Sequence, residues 1–235
     1  MCRGLFITGT GTDVGKTYVS GLILKALRDS GRSAAYYKAA MSGNDRRPDG
    51  SLIPGDARYV QQVSGISQPL EEMCPYVYEA PLSPHLAARL EGRPVELEKV
   101  LAGFRDLRGK YDDVVMEGSG GILCPIRVDE REKLYLPQVV KACGLGCLLV
   151  ADAGLGTINH TALTAFYLKE QGIPLKGIIF NRYVPGNVMQ EDNVRICEAL
   201  TGVKVVARVR EGDRELDMIP EALIALFDNL EEETI

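Results

Sequence analysis

Apolar residues in this chain fall into two alternating spacings. Short, nearly continuous apolar runs read as strands buried on both faces: Leu5–Thr8, Ser33–Lys38, Asp112–Glu117, Cys147–Asp152, Leu175–Asn181 and Lys204–Val209. Between them, apolar positions recur at helical spacing over Val19–Leu27, Ala57–Val63, Val95–Arg108, Gln138–Cys143, Asn159–Gln171, residues 188–200 and Pro220–Leu230. In the segment 95–108, Leu97, Val100, Leu101, Phe104 and Leu107 share one face. Four prolines between 65 and 85 predict no helix before Ser83, where Ser83-Pro84-His85 supplies a cap, a proline at the first helical position and a hydrogen-bonding histidine. Residues 41–55 have loop composition, and Asp56 behind Pro54-Gly55 is placed to cap the helix that follows. Strands alternate with helices without a repeat or a linker. The pattern predicts a single α/β domain over residues 1–235, a doubly wound, mostly parallel sheet with helices on both faces.

Composition narrows the class. The chain has 235 residues and a net charge of −5, from 27 basic and 32 acidic residues, with no basic run. Nucleic acid is therefore not an expected partner. The clusters Asp45-Arg46-Arg47 and Arg127 to Lys133 mix signs and read as solvated loops, as does the acidic tail Glu231-Glu232-Glu233. Met1-Cys2-Arg3 leads straight into the first strand, and no apolar run has the length of a membrane span. The six cysteines (Cys2, Cys74, Cys124, Cys143, Cys147 and Cys197) form no C-x-x-C pair. A cytoplasmic location with reduced thiols, no zinc and no membrane is the expectation.

Two stretches carry the chemistry. Gly9-Thr10-Gly11-Thr12-Asp13-Val14-Gly15-Lys16-Thr17 joins the first strand to the first helix. Such a loop turns backbone N–H groups and a helix N-terminus toward phosphates, sends Lys16 to the outer phosphates and offers the Thr17 hydroxyl to Mg²⁺. Thr10 stands where the simplest form of the motif has glycine, but Gly15-Lys16-Thr17 and both flanks are intact. The second stretch is a buried strand that delivers Glu117 into Gly118-Ser119-Gly120-Gly121. A carboxylate ending a second strand commonly holds Mg²⁺ in phosphate-loop enzymes. Lys38, at a strand end, either faces the phosphates or points into solvent. Asp56 reads as a cap, as a metal-side carboxylate, or as both. The helix start after Gly154-Leu155-Gly156-Thr157 is either an anion site or a simple turn.

Taken together the motifs resemble the dethiobiotin synthase family, a group of P-loop amidoligases. The resemblance runs through residues 9–17, Tyr-Lys-Ala-Ala-Met-Ser-Gly (37–43), Gly-Asp-Ala (55–57), Pro-Leu-Ser-Pro-His (81–85), Glu-Gly-Ser-Gly-Gly (117–121) and Gly-Leu-Gly-Thr-Ile-Asn-His (154–160). It covers nearly the whole chain. It implies a P-loop NTPase-type fold and an ATP-dependent ring closure, in which 7,8-diaminononanoate takes up CO₂ as a carbamate, is phosphorylated, and closes to dethiobiotin. It also assigns roles. Asp13, Val14, Gly15, Lys16, Thr17 and Tyr18 would wrap the triphosphate of ATP, together with Gly118, Ser119 and Gly120. Thr17, Asp56 and Glu117 would manage Mg²⁺. Lys38, Lys16 and Thr12 would form the catalytic set, with Ser42 beside the diamine. Asn181 and Arg182, with the segment Val209, Arg210 and Glu211, would border the purine. Gly156, Thr157 and Asn159 would receive the substrate carboxylate from a neighbouring subunit, which implies a homodimer with its substrate site at the interface.

Two positions depart from the family's pattern. Gly11 stands where many members carry aspartate, and Arg208-Val209-Arg210-Glu211-Gly212 lacks the proline that the family often has near the last strand. The competing class is a partition or positioning ATPase of the same superfamily. Those resemble K-G-G-x-G-K-[ST], with a signature lysine five residues ahead of the loop lysine; here that position is Gly11.

Overall fold

The structure is a computed structural model and describes residues 2–230. The predicted alternation is present as β1 (Arg3–Gly9), α1 (Lys16–Asp29), β2 (Ala34–Lys38), α2 (Gly55–Ser64), α3 (Pro84–Leu90), α4 (Leu97–Arg108) and β3 (Asp113–Glu117). It continues with β4 (Pro125–Val128), β5 (Lys133–Tyr135), α5 (Leu136–Ala142), β6 (Cys147–Asp152), α6 (Thr157–Glu170), β7 (Leu175–Asn181), α7 (Val188–Thr201), β8 (Val205–Val209), α8 (Pro220–Ile224) and β9 (Asp228–Asn229). The main sheet runs in the order β2-β3-β1-β6-β7-β8 with every one of these pairings parallel. Among the described residues, no helix is long and apolar enough to cross a membrane.

Strand alternation divides the core. Leu5 and Ile7 of β1 pack with Leu22, Ile23 and Val60 on the side of α1 and α2, whereas Phe6 faces Phe104, Val139 and Val140 on the side of α4 and α5. A third cluster joins Leu149 and Phe180 to Val194 and Cys197 of α7. Both faces of the sheet are therefore covered, as the near-continuous apolar strands require. Register then does the positioning. Lys38 of β2 lies opposite Glu117 of β3, Glu117 lies opposite Ile7 of β1, and Asp152, Asn181 and Val209 are aligned across β6, β7 and β8. Parallel strands of matched register deliver their last residues to one edge, which is where open α/β sheets bind ligands.

The structure corrects four local expectations. Asp56 is not a helix cap: Pro54 holds that position, and the Gly55 amide donates to Asn44 Oδ1 at 2.8 Å, leaving the Asp56 carboxylate for other partners. The mixed-charge stretch from Arg127 to Lys133 is solvated at its exposed turn, Asp129 to Arg131, but is not a plain loop, because its ends belong to an antiparallel hairpin, β4–β5. Arg127 knits the turn by pairing with Asp129 at 2.6 Å and Glu132 at 3.0 Å, while Ile126 and Leu134 face the core. The C-terminal helix ends at Ile224 instead of Leu230. Beyond it β9 pairs antiparallel with the start of β1, and Asp228 accepts from the Gly146 amide at 2.6 Å and from Lys176 at 2.5 Å. Finally, a short 3₁₀ turn, Leu70–Glu72, sits in the stretch where no helix is expected. Ser83 does precede α3 with Pro84 at its first position, and its hydroxyl lies 3.1 Å from His85 Nδ1. The acidic tail from Glu231 lies outside the described residues.

Candidate active site

β2 ends in Lys38 and β3 in Glu117, β1 runs between β3 and β6 into the glycine-rich loop, and a cleft of about 540 Å³ opens above these ends. The loop after β1 forms one wall. Its shape depends on backbone that only a few residues tolerate: Gly15 sits at φ +92° and Asp13 at φ +59°. The end of β7 holds the loop in that shape. Asn181 Nδ2 donates to the Val14 carbonyl at 3.0 Å, and Arg182 donates to the Asp13 carbonyl at 2.7 Å. Arg182, itself at φ +56°, also pairs with Asp152 at 2.6 Å, and Asp152 accepts from the Gly154 amide at 2.8 Å. Two successive loop carbonyls are thus tied down.

Inside the cleft a cation sits between acids. Lys38 Nζ donates to Asp56 Oδ2 at 2.7 Å and to Glu117 Oε1 at 2.8 Å. The Thr17 hydroxyl donates to the same Glu117 oxygen at 2.9 Å. Glu117 and Lys38 are buried, whereas Asp56 is half-exposed at the cleft rim. Lys16 is buried too and curls back to donate to the Gly11 carbonyl at 2.8 Å.

The environment sets the charge of each group. Burial works against the Lys38 ammonium, but the charges of Glu117 and Asp56 outweigh it and raise its pKa, so the side chain stays protonated. For Asp56 burial favours the acid form, and the charge and hydrogen bond of Lys38, with help from Lys16 and Thr17, bring its pKa below the usual value. Lys16 goes the other way: burial, then the nearby Lys38 charge, lower its pKa.

A pH prediction follows from Asp56. Its carboxyl is depressed in the folded chain, so the stability it contributes is present above its unfolded pKa and is lost as pH falls through the folded one. Lys38→Met removes the first favourable cause of that depression. The stability advantage of the wild type over this variant is expected to be full at neutral pH and to shrink in acid as Asp56 protonates. Denaturant unfolding at a series of pH values measures it; an advantage that does not change down to strongly acidic pH contradicts the coupling.

The donor set also bears on metal. Thr17, Asp56 and Glu117 offer one hydroxyl and two carboxylates, all hard oxygens; Lys38 joins the two carboxylates, and the Thr17 hydroxyl meets Glu117 Oε1. Among the described residues no group of three or more histidines, cysteines or acids gathers into a complete metal site. A partial oxygen shell suits Mg²⁺, which keeps several waters and shares phosphate oxygens with its nucleotide.

Of the residues expected from the sequence, Thr12, Asp13, Gly15, Lys16, Thr17, Lys38, Ser42, Asp56, Glu117, Ser119, Gly120 and Arg182 all border this cleft. Val14 takes part through its carbonyl, and Gly118 through close packing against Phe6 and Leu136. The Tyr18 hydroxyl turns away to the Asp213 carbonyl, joining α1 to the turn after β8. Val209 is buried beside Asn181, and Arg210 pairs with Asp213 at 3.0 Å; with Glu211 they lie one strand beyond the cleft. Gly156, Thr157 and Asn159 stand at the start of α6, where Gly156 takes φ +91° and Gly156 and Asn159 face outward. Thr157 and Thr12 share a smaller neighbouring cavity of about 190 Å³. Sequence reasoning missed Tyr36, whose buried hydroxyl donates to Glu117 Oε2 at 3.0 Å. Its only signal was its place two residues before Lys38, on the same face of β2.

A domain model described as an AAA domain matches residues 3–214. The chain is 42% identical to the ATP-dependent dethiobiotin synthetase BioD of Brachyspira hyodysenteriae, over 92% of this chain and 96% of that protein. It is 45% identical to BioD of Clostridium perfringens strain 13, over 89% and 91% of the two chains. Against BioD of Clostridium botulinum strain Loch Maree the identity is 40%, over 98% and 100%. Among solved structures, the fold is shared with the MinC:MinD cell division protein complex of Aquifex aeolicus, at TM-score 0.57 and 14% identity over 96% of each chain. It is shared also with a ParA family ATPase of Chlorobium tepidum, at TM-score 0.54 and 15% identity over 96% and 89%. Sequence identity of this extent along the whole fold, with the nucleotide loop in place, means that the chain belongs to the ATP-dependent dethiobiotin synthetase family.

Proposed function

We propose that the chain is an ATP-dependent cyclo-ligase that converts 7,8-diaminononanoate and CO₂ to dethiobiotin, releasing ADP and phosphate. The observation that carries this reading is Lys38, a protonated lysine buried at a strand end within the cleft that also contains Lys16 and Thr17. One amine of the diamine attacks CO₂ and loses a proton, giving a carbamate anion. The γ-phosphoryl group of ATP passes to a carbamate oxygen. The second amine then attacks the carbamoyl carbon, phosphate leaves, and the five-membered ring closes. Each intermediate is anionic, so fixed positive charge in a site partly closed to water is the main help a protein can give.

The residues divide this work. Backbone N–H groups of residues 13–17 and Lys16 hold the triphosphate. Lys38 faces the carbamate and its phosphorylated product, with Thr12 and Ser42 orienting the diamine. Thr17, Asp56 and Glu117 would hold Mg²⁺, which would supply charge neutralisation for the transferring phosphoryl group. Asn181, Arg182 and the segment Val209–Glu211 form the side on which the purine rests. Gly156, Thr157 and Asn159 present a helix N-terminus outward, suited to the far carboxylate of a diamine bound mainly by a second copy. Exposed apolar side chains on and beside α6 support such a homodimer: Leu155 is 92% exposed, Leu163 60% and Phe166 48%. Six free thiols support a reducing, cytoplasmic setting.

The test supplies ATP, Mg²⁺, bicarbonate and 7,8-diaminononanoate and follows dethiobiotin by mass spectrometry alongside phosphate release. Dethiobiotin equal in amount to phosphate is the expected result. ATP hydrolysis that ignores the diamine would overturn the assignment and favour the partition-type ATPases.

A further inference from the structure

Glu117 has two carboxylate oxygens, and only one of them faces the cleft. Oε1 accepts from Thr17 and Lys38, whereas Oε2 accepts from Tyr36 at 3.0 Å. Tyr36 is fully buried. The tyrosine is fixed in turn. β2 is the edge strand, and the side-chain amide of Gln68 plays the part of a missing neighbour strand. Gln68 Oε1 accepts from the Tyr36 amide at 2.7 Å, and Gln68 Nε2 donates to the Tyr36 carbonyl at 3.0 Å. Gln68 is itself 1% exposed. Two residues on, the Lys38 amide donates to the Met73 carbonyl at 2.9 Å, continuing the same support.

We infer that Tyr36 is a positioning residue for the metal–nucleotide end of the site: its buried hydroxyl pins the carboxylate of Glu117 so that a single oxygen faces Thr17 and Lys38. A free carboxylate rotates and offers either oxygen, or both, to a cation. With Oε2 held by Tyr36, the carboxylate keeps Oε1 beside the Thr17 hydroxyl, and Oε1 is the oxygen that Glu117 would turn toward Mg²⁺. Mg²⁺ demands a near-ideal octahedron, so a fixed ligand direction favours it over larger cations. Partners that orient a metal-side carboxylate in this way typically matter to affinity by 10–100-fold. The inference rests on the reading of Glu117 as a carboxylate of the Mg²⁺·ATP site.

The experiment measures binding of Mn²⁺ with a non-hydrolysable ATP analogue by electron paramagnetic resonance, in the full chain and in Tyr36→Phe, Glu117→Gln and the double variant. Tyr36→Phe keeps the ring and removes only the hydroxyl, and thermal melts fix a working temperature at which every variant is folded. The expected result is a loss of about 10-fold in Mn²⁺ affinity for Tyr36→Phe, a larger loss for Glu117→Gln, and no further loss in the double variant. Non-additivity of that kind is the mark of a residue acting through its neighbour. A merely structural role predicts a lowered melting temperature with unchanged Mn²⁺ affinity, and that outcome overturns the proposal. If Glu117→Gln weakens binding while Tyr36→Phe does not, the role of Tyr36 alone is lost. If Glu117→Gln binds Mn²⁺ as well as the wild type, Glu117 leaves the metal site and the inference falls with it.

Discussion

Lys38→Met is expected to leave a folded chain that still binds nucleotide and makes dethiobiotin about 10³-fold more slowly or worse. The ammonium is buried, and it is the cation common to Asp56 and Glu117. No neighbouring lysine takes over, because Lys16 is engaged with the Gly11 carbonyl and, on the proposed mechanism, with the phosphates. Removing one charge-stabilising donor from a preorganised site typically costs roughly 10²–10³-fold in rate. Lys38 here would act on both the carbamate and its phosphorylated product, so the loss should reach the upper end or beyond.

The same substitution has a second, less obvious consequence. Taking one partner from a buried ion pair destabilises a protein by about 3–5 kcal/mol, since the remaining charge stays buried without compensation. Glu117 is the exposed nerve of this arrangement, for its side chain has no contact with solvent. The ligand-free variant should therefore melt well below the wild type. On the proposed mechanism Mg²⁺ with nucleotide would bring a replacement charge to the same carboxylates, so its addition should raise the melting temperature of Lys38→Met more than that of the wild type. Calorimetric nucleotide binding, melting curves with and without Mg²⁺·nucleotide, and product analysis check the three parts. Full activity in this variant would remove Lys38 from the mechanism.

Gly15→Ala is expected to abolish nucleotide binding at working concentrations, with the fold retained. Two effects act together at this position. The backbone stands at φ +92°, where an L side chain costs about 1–2 kcal/mol. In addition, the new Cβ lands on the Asn181 side-chain amide, the group that anchors the Val14 carbonyl. Asn181 is buried at the end of β7 and cannot retreat without breaking that bond. The loop must shift instead, and its N–H groups move with it. A displacement on the order of 1 Å at such a site costs about 10²-fold. Isothermal calorimetry with ATP or ADP reads the change directly; affinity within a few-fold of the wild type would mean that the loop tolerates a side chain here, and would contradict the part given to Asn181.

Much of the site was legible along the chain because its parts are local. Gly15-Lys16-Thr17 is a contiguous turn into a helix, and Glu117 and Lys38 each end an apolar strand, so residue type and strand boundary together pointed to them. Asp56 was open between a cap and a metal-side carboxylate, and the structure removes the cap. A short acidic residue behind Pro54-Gly55 has the composition of a cap, and only the long-range bond from Asn44 to Gly55 frees it to meet Lys38. The β4–β5 hairpin was hidden for a different reason. Its strands are too short for alternation to register, and its charges are used within the turn. β9 interrupts an apparent helix because Asp228 finds the Gly146 amide and Lys176, partners 82 and 52 residues away.

By itself, then, the sequence determined the period of the main-sheet strands and of the longer helices, the glycine-rich loop and the family, since all are written in neighbouring residues. The tertiary structure decided what the charged groups do. The pairing of Lys38 with Glu117 depends on the register of two strands that meet only after the sheet has assembled. The grip of Asn181 and Arg182 on the nucleotide loop spans 167 and 169 residues. Tyr36 and Gln68 read as an ordinary strand tyrosine and an ordinary loop glutamine until burial removes water as their alternative partner. In a dry interior each of their polar atoms must find a protein partner, and the partners they find orient Glu117.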